Sequence, residues 1–180
     1  MTATQTTQRA VPRAEHVGSL VRPPALLEAH QTTLGDREVS NPYDVTSGVP
    51  MGEAHVGNVQ DELIRGAVAR QLEIGLDVVT DGEYRRPFFT ASADAALRGF
   101  QPSQETIHFD GPDGATLEAP ARPVVAERLE KIDNPLAREA RFMASITDAR
   151  IKVTLPAAST YCWYGVFTPG ITDKVYSDHD

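Results

Sequence analysis

The sequence predicts an α/β protein, and three observations predict it. A short run with apolar character, His16 to Val21, leads into a helical pattern that starts on prolines. A long amphipathic pattern, Val56 to Ile74, passes through Gly75 into Leu76 to Thr80, a short run rich in β-branched residues. A third helical pattern, Pro135 to Thr147, leads into a third short run, Ile151 to Leu155. Strands that alternate with helices pair in parallel, because the crossover returns the chain to the same end of the sheet.

His16 to Val21 reads as the first strand. Pro23 and Pro24 suit the first turn of the helix that follows, predicted from Pro24 to about Thr32, because the N–H that proline lacks is unpaired there anyway. Leu34 to Gly52 holds Gly35, Asn41-Pro42, Ser47-Gly48 and Pro50, which is the punctuation of a loop. Across Val56 to Ile74, Val59, Leu63 and Ala67 form one row and Ile64, Val68 and Leu72 the next, so both rows share one face. Asp61 and Glu62 lie early and Arg70 late, in keeping with the helix dipole, and Gly75 is a natural stop. Leu76 to Thr80 is short enough for a buried strand.

Pro87 to Phe100 reads as a loop turning into a helix with Ala91, Ala95, Ala96 and Leu97 on its apolar face. Thr106 to Ala119 reads as a β-hairpin around Asp110-Gly111-Pro112-Asp113-Gly114, an excursion from the main architecture, with Val124 and Val125 adding a short extended piece. In the Pro135 to Thr147 helix, Leu136, Ala140, Met143 and Ala144 are expected inward, and Pro156 ends the strand that follows. The segment beyond Tyr161 has no clear period, and Ser177 and Asp178 read as caps of a further helix.

The bulk properties exclude several classes. With 180 residues, 41% of them hydrophobic and 23% charged, the chain is that of an ordinary globular domain with a real core. A net charge of −8 argues against a nucleic-acid surface. A single cysteine, Cys162, excludes an internal disulfide and a multi-cysteine zinc site of this chain's own. No apolar run has the length of a membrane span. Met1 to Arg13 lacks the apolar core of a signal peptide. It reads as a disordered tail over 1–13 ahead of one domain over 14–180, and the expected compartment is the cytoplasm.

The chemistry-bearing residues cluster at strand ends. Thr80-Asp81-Gly82-Glu83 closes the second strand with two acids around a glycine, and in barrels of alternating strands and helices the strand C-termini carry the site. Glu83 reads either as a ligand contact or as a cap or ion-pair partner of Arg85 or Arg86. Asp81 and Glu83, two apart, would face the same side if the strand continued. They could then share a metal or form part of a carboxylate pair, although paired catalytic carboxylates normally come from different strands. Ser19 reads as a ligand contact, being poorly spaced to cap the helix at Pro23. His16 is either a ligand or a hydrogen-bonded core residue. Arg22 is either a carboxylate fork or a surface ion pair. Cys162 reads as an inert thiol; Tyr161, Trp163 and Tyr164 read as packing; His55 and His108 show no partners in sequence.

Three segments, Ala14 to Pro23, Gly75 to Arg86 and Lys152-Val153-Thr154-Leu155-Pro156, resemble the catalytic domain of the cobalamin-independent methionine synthases, in particular the proteins called methionine synthase II-like. The resemblance covers about residues 14 to 180. It implies the amino-terminal half of a (β/α)8 TIM barrel of the methionine synthase and uroporphyrinogen decarboxylase type, since a full barrel needs roughly 200 to 250 residues. It also implies transfer of a folate methyl group to a thiol such as homocysteine. The family's Ile-Gly-Ser element falls on Val17, Gly18 and Ser19, and its Gly-Glu element on Gly82 and Glu83, which implies amino acid binding by Val17, Gly18, Ser19 and Glu83. His16, Arg22 and Asp81 are additional candidates, Asp81 standing where the family's synthases have a histidine.

The implied cofactor is zinc, which would hold the thiol as thiolate; its expected ligands, a His-x-Cys pair, a glutamate and a later cysteine, lie outside this chain. This chain is therefore expected to supply no metal ligand. The implied partners are a small-molecule thiol and a methyl donor, with a second half-barrel chain or a further copy to complete the barrel, and neither nucleic acid nor membrane. Two other readings stay open: a non-catalytic remnant or assembly subunit of a split barrel, and a different thiol alkyltransferase or decarboxylase on the same scaffold.

Overall fold

The computed structural model describes residues 14–35, 54–86, 89–101, 106–111, 114, 116–120, 123–163 and 167–177. The loop expected over Leu34 to Gly52 lies almost wholly outside them, as do the tail over 1–13 and the last three residues. No helix among the described residues is long and apolar enough to cross a membrane.

Three parallel extended segments organise the fold. Glu15 bridges Val78, and β1, Val78–Thr80, pairs in parallel with β6, Arg150–Lys152, in the register Val78 to Arg150, Val79 to Ile151 and Thr80 to Lys152. The expected first strand is thus reduced to one bridge and an extended segment, further tied by the Leu20 N–H donating to the Gly82 carbonyl at 3.1 Å. The expected strands at Leu76 to Thr80 and Ile151 to Leu155 are present but shorter. The pairing is parallel as predicted, and the fold is α/β, although no closed barrel wall is formed among the described residues.

Between the first two segments run α1, Pro24–Leu34, and α2, Ala54–Glu73, which pack on each other. Val56, Gln60, Ile64, Val68 and Gln71 are the buried stripe of α2, spaced by three and four. Val59, Leu63 and Ala67 flank it, half-buried, while Leu72 is exposed, contrary to the sequence reading. Because α2 begins at Ala54, Asp61 and Glu62 lie beyond its first turn; Asp61 pairs with Arg85 instead of meeting the helix dipole. The core joins Leu26 and Ala29 of α1, the α2 stripe, Val79, Tyr84 and Met143.

Between β1 and β6 the chain departs from the sequence reading. The helix expected through Phe100 is only α3, Ala91–Asp94, and Leu97 opens a strand, β2, Leu97–Gln101. β2 pairs antiparallel with β5, Val124–Lys131, far longer than the extended piece expected at Val124 and Val125, with a register shift between Arg98 and Phe100. The predicted hairpin, β3 Thr106–Asp110 and β4 Thr116–Pro120, is inserted between these two strands. Tyr176 and Thr172, the latter in a 3-10 turn over Thr172–Lys174, then close on β5: the Leu129 N–H donates to Tyr176 Oη at 3.0 Å, and Thr172 Oγ1 to the Val125 carbonyl at 2.7 Å.

α4, Pro135–Ile146, is capped by Asn134, whose side chain accepts from the Ala137 N–H at 3.1 Å. Its buried residues are Pro135, Glu139 and Met143, four apart. Leu136 and Ala140 are half-buried, and Ala144, expected inward, is exposed. α5, Ala158–Trp163, follows β6, and the side chains of Tyr161, Cys162 and Trp163 lie outside the described set.

α2 also completes the backbone of β1. Gln71 donates from Nε2 to the Thr80 carbonyl at 2.8 Å, and its Oε1 accepts from the Thr80 N–H at 3.0 Å. One buried amide therefore satisfies both polar groups of a buried peptide position. Replacing Gln71 with alanine orphans both and is expected to lower unfolding stability by about 2 kcal/mol, read by urea denaturation; an unchanged midpoint would contradict this role.

Candidate functional site

The site is built on the turn that leaves β1. Gly82 and Glu83 both adopt left-handed backbone conformations, with φ of 68° and 60°. For glycine this costs nothing, whereas a residue with a Cβ pays roughly 1–2 kcal/mol. The turn is held by its neighbours: Asp81 Oδ1 accepts from the Glu83 N–H at 3.0 Å, and the Arg86 N–H donates to the Glu83 carbonyl at 3.0 Å. The tandem turn ends the strand direction, so Asp81 and Glu83 do not face the same side as continued extended structure would require.

The turn faces the first segment and β6. Ser19 Oγ donates to Glu83 Oε2 at 2.5 Å, and Thr154 Oγ1 donates to Glu83 Oε1. Arg86 Nη1 lies 3.0 Å from Thr154 Oγ1 and 3.7 Å from Glu83 Oε1. The other face of the guanidinium is taken by Glu139 of α4: Nη2 donates to Oε2 at 2.6 Å and Nε to Oε1 at 3.5 Å. Ser92 Oγ donates to the same Oε1 at 3.3 Å. Arg86 and Glu139 are both buried, with side-chain exposures of 1% and 2%.

Gly18 lies against the carboxylate. A Cβ there would stand 2.8 Å from Glu83 Oε1 and 3.3 Å from Thr154 Cγ2, so only glycine admits Glu83 in this position. Above the carboxylate opens a cavity of about 460 Å³ lined by Val17, Gly18, Ser19, Glu83, Arg86, Phe89, Thr154, Leu155 and Pro156. Its floor is charged and hydroxylic, and its rim is apolar: Val17 is 92% and Leu155 67% exposed.

Of the residues singled out in sequence, Val17, Gly18, Ser19 and Glu83 come together in this cavity. The other three do not line it. His16 contributes its carbonyl, which accepts from Lys152 Nζ at 2.7 Å. Arg22 donates from Nη2 to the Arg86 carbonyl at 2.6 Å, bracing the turn from outside. Asp81 is buried beneath Glu83, where burial foremost pushes its carboxyl above the usual range, the Glu139 charge adding to this and the Glu83 N–H, Arg86 and Arg85 opposing it. His55 and His108 are exposed and do not line the cavity.

Arg86, Thr154, Glu139 and Ser92 carry the site's hydrogen bonds yet were not singled out as site residues. Thr154 had a signal, since it follows a strand parallel to the one that bears Glu83. Glu139 had none, because a glutamate in the middle of an amphipathic helix reads as solvated.

No family model matches the chain. The uncharacterized protein YxjH of Bacillus subtilis (strain 168) is 31% identical over 153 residues, covering 83% of this chain and 36% of YxjH. The uncharacterized protein YxjG of the same organism is 29% identical over 158 residues, covering 85% of this chain and 37% of YxjG. The chain thus spans little more than a third of the length of the curated relatives it matches. Among solved structures, the putative vitamin-B12 independent methionine synthase from Listeria monocytogenes matches with a TM-score of 0.59 at 19% identity, over 88% of this chain and 40% of that one. A B12-independent methionine synthase from Shewanella sp. W3-18-1, in complex with selenomethionine, matches with a TM-score of 0.46 at 21% identity, over 58% of this chain and 30% of that one. The Listeria likeness shows a related fold across most of the chain.

The raised Asp81 value predicts a pH dependence. The folded protein holds this proton more tightly than the unfolded chain, so the Asp81 charge costs stability as pH rises from the ordinary 3.8 through the raised folded value, and costs it fully above that. Asp81→Asn keeps an oxygen for the Glu83 N–H and removes the charge. Its stability relative to wild type should therefore rise between pH 4 and pH 7 in urea unfolding, and a difference constant with pH would refute the assignment.

Proposed function

We propose that this chain forms the amino-acid-binding wall of a thiol methyltransferase related to cobalamin-independent methionine synthase, which moves a folate methyl group to a thiol such as homocysteine. The observation that carries the proposal is the Glu83 carboxylate, fixed by the Ser19 and Thr154 hydroxyls at the floor of an apolar-rimmed cavity. The fold likeness to the Listeria structure supports it, and so does the resemblance in the segments around Ser19, Glu83 and Thr154.

Each Glu83 oxygen accepts one hydroxyl and keeps acceptor capacity for a ligand. A protonated α-amino group is the partner that suits it: cationic, multiply donating and small. The substrate's apolar thioalkyl arm would run along Val17, Phe89 and Leu155. In the reaction a sulfur–carbon bond forms as the donor's nitrogen–carbon bond breaks, so the wall's task is to hold the thiol carrier in place while the donor approaches. Among the described residues, no group of three or more His, Cys, Asp or Glu is arranged to hold a metal. The zinc implied by the resemblance would, in this proposal, be held by residues outside this chain.

Calorimetry of the 180-residue chain with L-homocysteine tests the proposal. Glu83→Gln removes the charge but not the shape, and should weaken binding roughly 10- to 100-fold, the worth of a hydrogen bond to a charged group. Gly18→Ala, which pushes against Glu83 Oε1, should weaken it in the same direction with the carboxylate still present. Equal affinities for wild type and Glu83→Gln, or no binding by wild type, would sink the reading.

A further inference from the structure

We infer that Glu139 is a positioning residue for Glu83, acting through Arg86 and Thr154 from outside the cavity. A guanidinium as enclosed as Arg86 requires a counter-charge. Two carboxylates come within ion-pair distance of it, Glu139 at 2.6 Å and Glu83 at 3.7 Å, while Asp81 acts on it from farther away. Glu139 wins because it meets the fork with both oxygens, and Ser92 pins one of them at 3.3 Å.

The direction of the chain of hydrogen bonds follows. Arg86 is a donor only, so Thr154 Oγ1 accepts from Nη1 at 3.0 Å. The one proton of Thr154 then points to Glu83 Oε1. The donations from Arg86 to Thr154 and from Thr154 to Glu83 thus run one way toward the cavity floor, and Glu139 of α4, which accepts from both Arg86 and Ser92, anchors their far end. Its effect is that Glu83 is oriented by Arg86 through a hydroxyl without being consumed as the counter-ion of Arg86. Without the Glu139 charge, Glu83 becomes the nearest carboxylate to a buried guanidinium, and the 3.7 Å gap closes at the expense of the face turned to the cavity.

Glu139 could instead serve only to pin α4 to the turn, and a purely structural role predicts no change at Glu83 in a folded variant. The ligand-free readout is the ¹³C signal of the Glu83 carboxyl carbon, assigned with Glu83→Gln. In folded Glu139→Gln this signal should move, and in Glu139→Asp, which keeps the charge but withdraws it by one methylene, it should move less. Should Glu139→Gln not fold, Glu139→Asp decides: a displaced signal supports the inference and an unmoved one overturns it. An unmoved signal in folded Glu139→Gln overturns it outright.

The ligand readout rests on the function proposed above. The ratio of affinities for L-homocysteine and its des-amino counterpart, 4-sulfanylbutanoate, should fall roughly tenfold in Glu139→Gln, the worth of one charge-assisted contact. If the wild-type chain binds neither compound, the proposed function fails while the carboxyl signal still decides the role of Glu139.

Discussion

The structure depends on burying a turn. Thr80 to Arg86 is an irregular stretch that is buried except at Arg85, and polar backbone groups taken from the surface must find partners within the protein. Five of the stretch's seven carbonyls are met by a specific donor: Thr80 by Gln71, Gly82 by the Leu20 N–H, Glu83 by the Arg86 N–H, Tyr84 by Gln60 and Arg86 by Arg22. Those donors come from α2, from the extended segment before α1 and from the turn itself. Burying the turn therefore requires these elements to assemble around it. Arg85 adds a further tie, pairing with Asp61 of α2 and lying 4.5 Å over the Phe142 ring of α4.

That constraint explains where the site sits. Two glutamates from distant parts of the chain share one enclosed guanidinium, an arrangement that is expensive unless every charge is paired and every hydrogen bond made. The strain at Glu83, a left-handed residue with a full side chain, is borne by the same network. Positioning groups that hold a carboxylate at a fixed place before any ligand arrives reduce the ordering that binding must still accomplish.

The likeness to the Listeria structure extends across most of the chain, and the antiparallel excursion lies between β1 and β6. It was only partly legible in sequence. The β3–β4 hairpin announced itself through its turn residues. The β2–β5 pair did not, because Leu97 to Phe100 continues an alanine-rich helical pattern and becomes a strand only by pairing with β5, more than twenty residues later. Strand preference of this kind is set by partners rather than by local composition.

The sequence by itself determined the three longer helices α1, α2 and α4, the parallel order of the extended segments, and, through the resemblance, the joint use of Ser19 and Glu83. Helical periodicity, proline starts and strand-end acids are local signals, and the resemblance supplied the pairing of two distant motifs. Only the tertiary structure decided that Glu139 is inside, that Arg86 is shared, that Arg22 braces the turn and that Asp81 lies beneath Glu83. The physical reason is that a buried charge is stable only beside its partner. The partner of Arg86 stands 53 residues away on another helix, where no period or motif marks it.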